Sequence, residues 1–263
     1  MARALNTAQP SALRVRNLAV RASDTPLIKA LDFSLQRGQM LAVLGRNGSG
    51  KSLLLHTLAG LRPVSDGTIE LQGTDLSQQS RREIARQLGL LPQDSDPPAQ
   101  VRVFDWVLGG RFAHGSQWRW PNDEDRRIAM DSLRHVQLDT LAERWLTSLS
   151  GGELRRASLA TLLTQHAAVM LLDEPTNHLD PRQIAVVMQL ARDACVRGAA
   201  VVVTLHDPQL ALRWADSALL LHGDGRWQYG AATAVLTADN VSALYQTPFV
   251  SLHAGGRSLL LQE

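Results

Sequence analysis

The chain has 263 residues, 44% of them apolar and 20% charged, an ordinary make-up for a soluble globular protein with one large domain or a core carrying an inserted subdomain. Its 27 Lys and Arg stand against 25 Asp and Glu, and the formal net charge of +2 gives no argument for a nucleic-acid partner. The single cysteine, Cys195, excludes an internal disulfide and reads as a small buried apolar residue in a reducing compartment.

Met1–Pro10 lacks the apolar centre of a secretion signal and reads, with Ser11 and Ala12, as a flexible polar tail. No apolar run approaches the roughly twenty residues that span a bilayer, so any work at a membrane needs another protein's transmembrane segments. Leu13–Val20 and Leu31–Gln36 alternate with a period near two, as antiparallel strands with one wet face do. Met40–Leu44 is apolar throughout and predicts a strand buried on both faces. A helix is expected from Ser49 to about Leu61, ending before Pro63, and a short strand over Thr68–Leu71 follows the turn Ser65-Asp66-Gly67. A helical segment from Arg81 to Leu88 leads to Gln93, and Asp94–Pro98 then breaks the pattern.

From Val101 to His166 the pattern is mainly helical. Asn122 followed by three acids starts one helix, and Gly151 opens another that runs to about Thr164. The α/β signal returns with the apolar runs Ala168–Leu172 and Ala199–Leu205, joined by a helix over Arg182–Val196, and with a strand at Ala218–Leu221. The expected organisation is one domain: an α/β core with a β subdomain over residues 13–93 and 166–263, and a helical subdomain over 94–165.

Between the strand Met40–Leu44 and the following helix lies Gly45-Arg46-Asn47-Gly48-Ser49-Gly50-Lys51-Ser52. Glycines there let backbone N–H groups turn inward onto polyphosphate oxygens, and the helix adds the positive end of its dipole. Lys51 is placed to reach the β- and γ-phosphates, and the Ser52 hydroxyl to coordinate Mg²⁺. Asp173 and Glu174 follow a buried strand directly, at the sheet edge where open α/β proteins bind ligands. Asp173 suits Mg²⁺ through water, and Glu174 suits orientation or deprotonation of an attacking water. His206 also follows a strand and is in reach of a γ-phosphate if that strand lies beside the loop. Gln93 sits at the junction between the two patterns. Leu149-Ser150-Gly151-Gly152-Glu153 opens a helix and forms a second anion-binding start, which needs a second phosphate or one presented by a partner molecule.

In their order along the chain, Gly45–Ser52, Gln93, Leu149–Glu153, Val169–Glu174, Leu179-Asp180 and His206 resemble the motifs of ATP-binding cassette (ABC) ATPases, from about Leu13 to Tyr245. The resemblance implies a P-loop ATPase core of mainly parallel sheet, with an antiparallel β subdomain and an inserted helical subdomain. It implies that Asn47–Ser52 cradle the phosphates of ATP, that Asp173, Gln93 and Ser52 hold Mg²⁺, that Glu174 is the catalytic base and that His206 contacts the γ-phosphate. Ser150, Gly151 and Gly152 would cap the nucleotide of a second, head-to-tail copy, and Asp180 would join that contact, which accounts for the second anion site.

Val107–His114, Glu174–Asp180 and Val235–Tyr245 look most like the ATPases of importers for cobalamin, ferric siderophores or haem. The implied partners are transmembrane permease subunits and, through them, a substrate-binding protein. The implied place is the cytoplasmic face of the inner membrane. The competing reading is a soluble ABC ATPase acting on ribosomes, chromosomes or cluster assembly. A single cassette, with no long heptad insertion and no basic stripe, speaks against the first two.

One position departs from the family. Where an aromatic usually stacks on adenine the chain has Ala22, which implies weaker ATP binding and lax base choice unless Arg21 or a partner residue substitutes. Trp106 and Trp145 are expected in the core of the helical subdomain, whereas Trp118 and Trp120 form a candidate partner-anchoring patch. The resemblance implies a permease helix docked in a groove beside the Gln93 loop, with Phe104, Arg111 and Trp118 expected near it.

Overall fold

The computed structural model describes residues 11–93, 98, 100–115, 121–254 and 257–263. The chain begins with β1 (Leu13–Ala22) and β2 (Thr25–Leu35), then β3 (Met40–Gly45) and α1 (Lys51–Leu58). Next come β4 (Asp66–Leu71), β5 (Thr74–Asp75), α2 (Arg81–Gln87) and β6 (Leu88–Leu91). The helices α3 (Val103–Leu108), α4 (Asp123–His135) and α5 (Gly151–Thr164) precede β7 (Val169–Leu172), α6 (Pro181–Val196) and β8 (Ala200–Leu205). The remainder is α7 (Pro208–Trp214), β9 (Ser217–Leu221), β10 (Trp227–Ala231), α8 (Ala232–Val235), α9 (Ala238–Tyr245) and the hairpin β11 (Phe249–Ala254) and β12 (Arg257–Gln262).

Six strands form the central sheet in the order β10-β9-β3-β8-β7-β6, and every pair from β9 to β6 is parallel. Four more form an antiparallel sheet, β2-β1-β4-β5. This is the α/β architecture expected from the sequence. The parallel strands β3, β7 and β8 are buried along their whole length, so their residues divide by period two between two cores. Met40, Ala42, Leu44, Met170, Leu172, Val201 and Val203 pack with α3 to α6. Leu41, Val43, Val169, Leu171 and Val202 pack on the other face with α1 and the antiparallel sheet.

In the helical region, Asn122 caps α4 in a capping box with Asp125. Asp125 in turn accepts a hydrogen bond from Arg111 Nε at 2.8 Å, and Arg111 Nη1 donates to the carbonyl of Thr164 at 3.2 Å. Arg111 therefore ties α4 to the end of α5. Gly89 in β6 gives α5 its close approach, because a Cβ there would stand 2.2 Å from Leu162 Cδ1.

Several local expectations are corrected. Ser11 and Ala12 are buried, and the Ala12 carbonyl accepts from Gln72 N at 3.1 Å, so neither behaves as tail. The helix after the phosphate loop runs Lys51–Leu58, shorter than expected, because Gly60 takes a left-handed φ of 67°. β2 starts six residues earlier than its alternating pattern suggests, at Thr25, with register shifts along its pairing to β1 that disturb the period. Leu88 begins a strand and does not end a helix: β6 gains a full parallel ladder with β7. Trp145 is 48% exposed, its ring under the Arg102 guanidinium at 5.3 Å, so it is not core, whereas Trp106 is partly buried against it. Trp118 and Trp120 lie outside the described residues. Cys195, on α6, is buried and its thiol is pushed up to about 11 by burial, which leaves it unreactive near neutral pH.

Candidate functional site

The sheet order decides where the motifs meet. β3, β8, β7 and β6 are consecutive neighbours and all run the same way, so the segments leaving their carboxyl ends lie side by side. Those segments carry Gly45–Ser52, His206, Asp173-Glu174 and Gln93. A cavity of about 510 Å³ is lined by Ala22, Asn47, Gly48, Gly50, Lys51, Ser52, Gln93, Glu174, Asn177 and His206. Arg46 is exposed on the loop, Gly45 ends β3, and Ser49 is buried with its Oγ unpartnered among the described residues.

Gly50 sits at φ 99°, a left-handed conformation that turns the chain sharply into α1, and a Cβ there would crowd Leu27. No side chain caps α1, so its first amides remain open to an anionic ligand. Lys51 is 5% exposed; its Nζ donates to the Gly45 carbonyl at 3.0 Å and faces Glu174 Oε1 at 3.5 Å. Burial pulls the ammonium below its ordinary value, and Glu174 and Asp173 push it back up.

Glu174 is held on every side. His206 Nε2 lies 2.8 Å from the same Oε1, and Asn177 Nδ2 donates to Oε2. Its backbone φ is 45°, unusual for a residue with a side chain, and its N–H donates to Thr204 Oγ1 at 2.7 Å. Thr204 Oγ1 donates in turn to Asp173 Oδ1 at 2.7 Å. Asp173 is 1% exposed, so this bond supports a buried carboxylate. The carbonyl of His206 accepts from Tyr245 Oη at 2.9 Å, which anchors that turn to α9.

Ser150 caps α5: its Oγ accepts from Glu153 N at 3.3 Å and donates to Glu153 Oε2 at 2.8 Å. Gly151 lines a smaller adjoining cavity of about 180 Å³ with Gln93, Arg155, Glu174 and Asn177, apart from the phosphate loop. Ser150 and Gly151 are exposed, and a Cβ on Gly151 would meet nothing within 4 Å, so a second molecule has room to approach. Gly152 is buried against Gln183, whose N–H donates to Asp180 Oδ1 at the start of α6 at 2.8 Å. The structure thus gathers the phosphate loop, Gln93, Glu174 and His206 at one cavity, with Asp173 buried behind it. It leaves Ser150, Gly151, Gly152 and Asp180 outside that cavity, with Gly151 lining the smaller adjoining one.

Sequence reasoning missed three residues. Asn177 follows Glu174 by one turn, with nothing local to mark it. Thr204 is marked, as the only hydroxyl in the apolar strand Ala200–Leu205, two residues before His206. Arg155, on α5, donates to carbonyls of both the Gln93 and the Glu174 segments.

The oxygen donors of Ser52, Gln93 and Asp173 fit a hard divalent cation that keeps several of its waters, and Thr204 engages only Oδ1 of Asp173. The uncapped helix start and Lys51 fit a polyphosphate.

Comparison with known proteins gives the family. A family model described as ABC transporter matches residues 28–177. The hemin import ATP-binding protein HmuV of Pseudomonas fluorescens is 38% identical over 238 residues, covering 89% of this chain and 92% of that protein. The molybdate import ATP-binding protein MolC of Haemophilus influenzae is 34% identical over 246 residues, covering 92% and 91%. A solved structure, reported as an inward-facing conformation of a metal-chelate type ABC transporter, superposes with a TM-score of 0.84 at 32% identity, over 96% of this chain and 97% of that one.

The Thr204 bonds make a prediction. Thr204→Val keeps the shape but strands the Asp173 carboxylate and the Glu174 N–H, and should lower unfolding stability by about 1–3 kcal/mol in denaturant melts. Thr204→Ser, which keeps the hydroxyl, should lose much less.

Proposed function

This chain belongs to the ABC transporter family and is an ATPase of its ATP-binding-subunit type; from that premise we propose that it powers import of a metal chelate such as haem, a ferric siderophore or cobalamin. The hemin import relative and the metal-chelate type neighbour support that cargo class. The molybdate import relative marks an oxyanion as the competing cargo. Among the described residues no helix is long and apolar enough to cross a membrane, which accords with a peripheral subunit on the cytoplasmic face beneath separate permease subunits. A substrate-binding protein would deliver cargo to that permease.

The reading of the site rests on one observation: Lys51, the first residue of the uncapped α1, holds its ammonium 3.5 Å from the Glu174 carboxylate. A γ-phosphate entering the cavity carries more negative charge than one carboxylate and competes for Lys51. Asn47–Ser52 would hold the phosphates through loop amides, and Lys51 would swing from Glu174 to them. Glu174, released from that ion pair but still oriented by Asn177, would then accept a proton from the attacking water. His206, already 2.8 Å from Glu174, would meet the γ-phosphate on the same side. Ser52, Asp173 and Gln93 would hold Mg²⁺, which when bound neutralises charge on the phosphates.

Two chains packed head to tail would bring the exposed Ser150-Gly151 start of one α5 over the nucleotide of the other, with Gly152 and Asp180 at the same contact. Closure on ATP and release after hydrolysis would drive the permease.

Four experiments test this. Glu174→Gln should still bind Mg-ATP, form a stable dimer in size-exclusion chromatography and release phosphate about 10²–10⁴-fold more slowly; a monomer at saturating Mg-ATP overturns the composite site. The wild-type chain captured from detergent-solubilised membranes should bring a polytopic membrane protein with it, and cells lacking the chain should lose uptake of a metal chelate and keep uptake of molybdate. Ala22 lines the cavity, as the family resemblance requires of the adenine-stacking position. Ala22→Tyr should therefore tighten ATP binding by about five-fold or more in titration calorimetry, the equivalent of about 1 kcal/mol of stacking.

A further inference from the structure

We propose that Arg155 is a positioning residue for hydrolysis, one side chain that fixes the Gln93 segment, the Glu174 segment and the start of α5 as a single body. The proposal rests on the roles assigned above to Gln93 and Glu174.

Arg155 lies on the second turn of α5, five residues after Ser150, which caps the helix. A guanidinium has five N–H donors in a rigid fork, and here each can be matched with a different backbone carbonyl. Nε donates to Pro175 O at 3.1 Å; Nη1 donates to Pro92 O at 2.8 Å and to Gln93 O at 3.2 Å; Nη2 donates to Asp173 O at 2.9 Å and to Glu174 O at 3.0 Å. These carbonyls belong to the segments leaving β6 and β7. The parallel ladder between those strands ends at Leu91↔Leu172, followed by one further bond from Asp173 N to Leu91 O at 2.8 Å. Past that point no strand pairing among the described residues holds the two segments, and Arg155 bridges them.

The bridge matters most at Glu174. Its left-handed backbone needs outside support, and it is gripped at both ends: the N–H by Thr204 Oγ1 and the carbonyl by Arg155. With the backbone pinned, the carboxylate keeps its aim when Lys51 leaves it. The same fork holds Gln93, so both residues keep a constant position relative to Ser150, on the same helix as Arg155. A lysine cannot do this, because its three donors radiate from a single point and cannot span five carbonyls in two segments.

The test is steady-state ATP hydrolysis by the full chain with Arg155→Gln and Arg155→Lys, alongside wild type and Glu174→Gln. The phosphate loop is untouched in both variants, so KM for ATP should stay within about three-fold while kcat falls roughly 10- to 100-fold, and lysine should not rescue it. Hydrogen exchange should speed up at residues 92–93 and 173–177 and remain as in wild type along β3 and α1. Wild-type kcat in both variants overturns the proposal, as does full rescue by lysine or a loss carried by KM alone. Loss of the cooperative melt in both variants also overturns it, since the arginine would then hold the domain and not the site. If Glu174→Gln hydrolyses ATP at the wild-type rate, it is the underlying reading of the base that fails; if Glu174→Gln is inactive and the Arg155 variants are not, only this inference does.

Discussion

The parallel pairing of β3, β8, β7 and β6 is the constraint on which the rest depends. Parallel strands need crossover connections, so each strand of this set is followed by a segment that must leave from the same edge. Four stretches far apart in the chain, those at Gly45, Gln93, Asp173 and His206, are thereby set in a row without any direct sequence relation between them. The burial of β3, β7 and β8 on both faces makes that row rigid: a shift of one strand would disturb two cores at once.

On this rigid edge the charges are arranged to wait. Lys51 and Glu174 are both nearly withdrawn from water and satisfy one another, with His206 and Asn177 completing the carboxylate's partners. A buried ion pair of this kind contributes little net stability, because desolvation offsets most of the attraction. On the mechanism proposed above, its value lies in exchange: a more highly charged ligand would take one member and leave the other ready. The helix start at Ser150 follows the same economy, since its own capping box with Glu153 satisfies the local donors while Gly151 stays uncovered.

Much of this was legible in the sequence because its signals are local. The phosphate loop is eight consecutive residues, and Asp173-Glu174 and His206 each sit directly after an apolar run. Asn122 and Ser150 announce their helices through a partner three residues on. What stayed hidden depends on contacts between distant segments. Arg155 reads as one more basic residue on a helix, and only the fold brings two sets of carbonyls to it. β6 is four residues long and follows α2 without a break, so its strand identity comes from the ladder with β7 and not from its own pattern. Trp145 is apolar by composition, yet its ring serves as a platform for Arg102 at the surface. The β11–β12 hairpin went unseen, and Leu260 N ties it to Gln209 on α7 at 2.8 Å.

Cys195 has a practical consequence. Because the sole thiol is on the buried face of α6 and holds its proton to high pH, the native surface is silent to maleimides and disulfide reagents. A cysteine engineered at an exposed point outside the site, such as Leu61, would therefore carry a fluorophore or spin label without any other substitution, and the separation of such labels on two copies would follow the closure proposed above in real time.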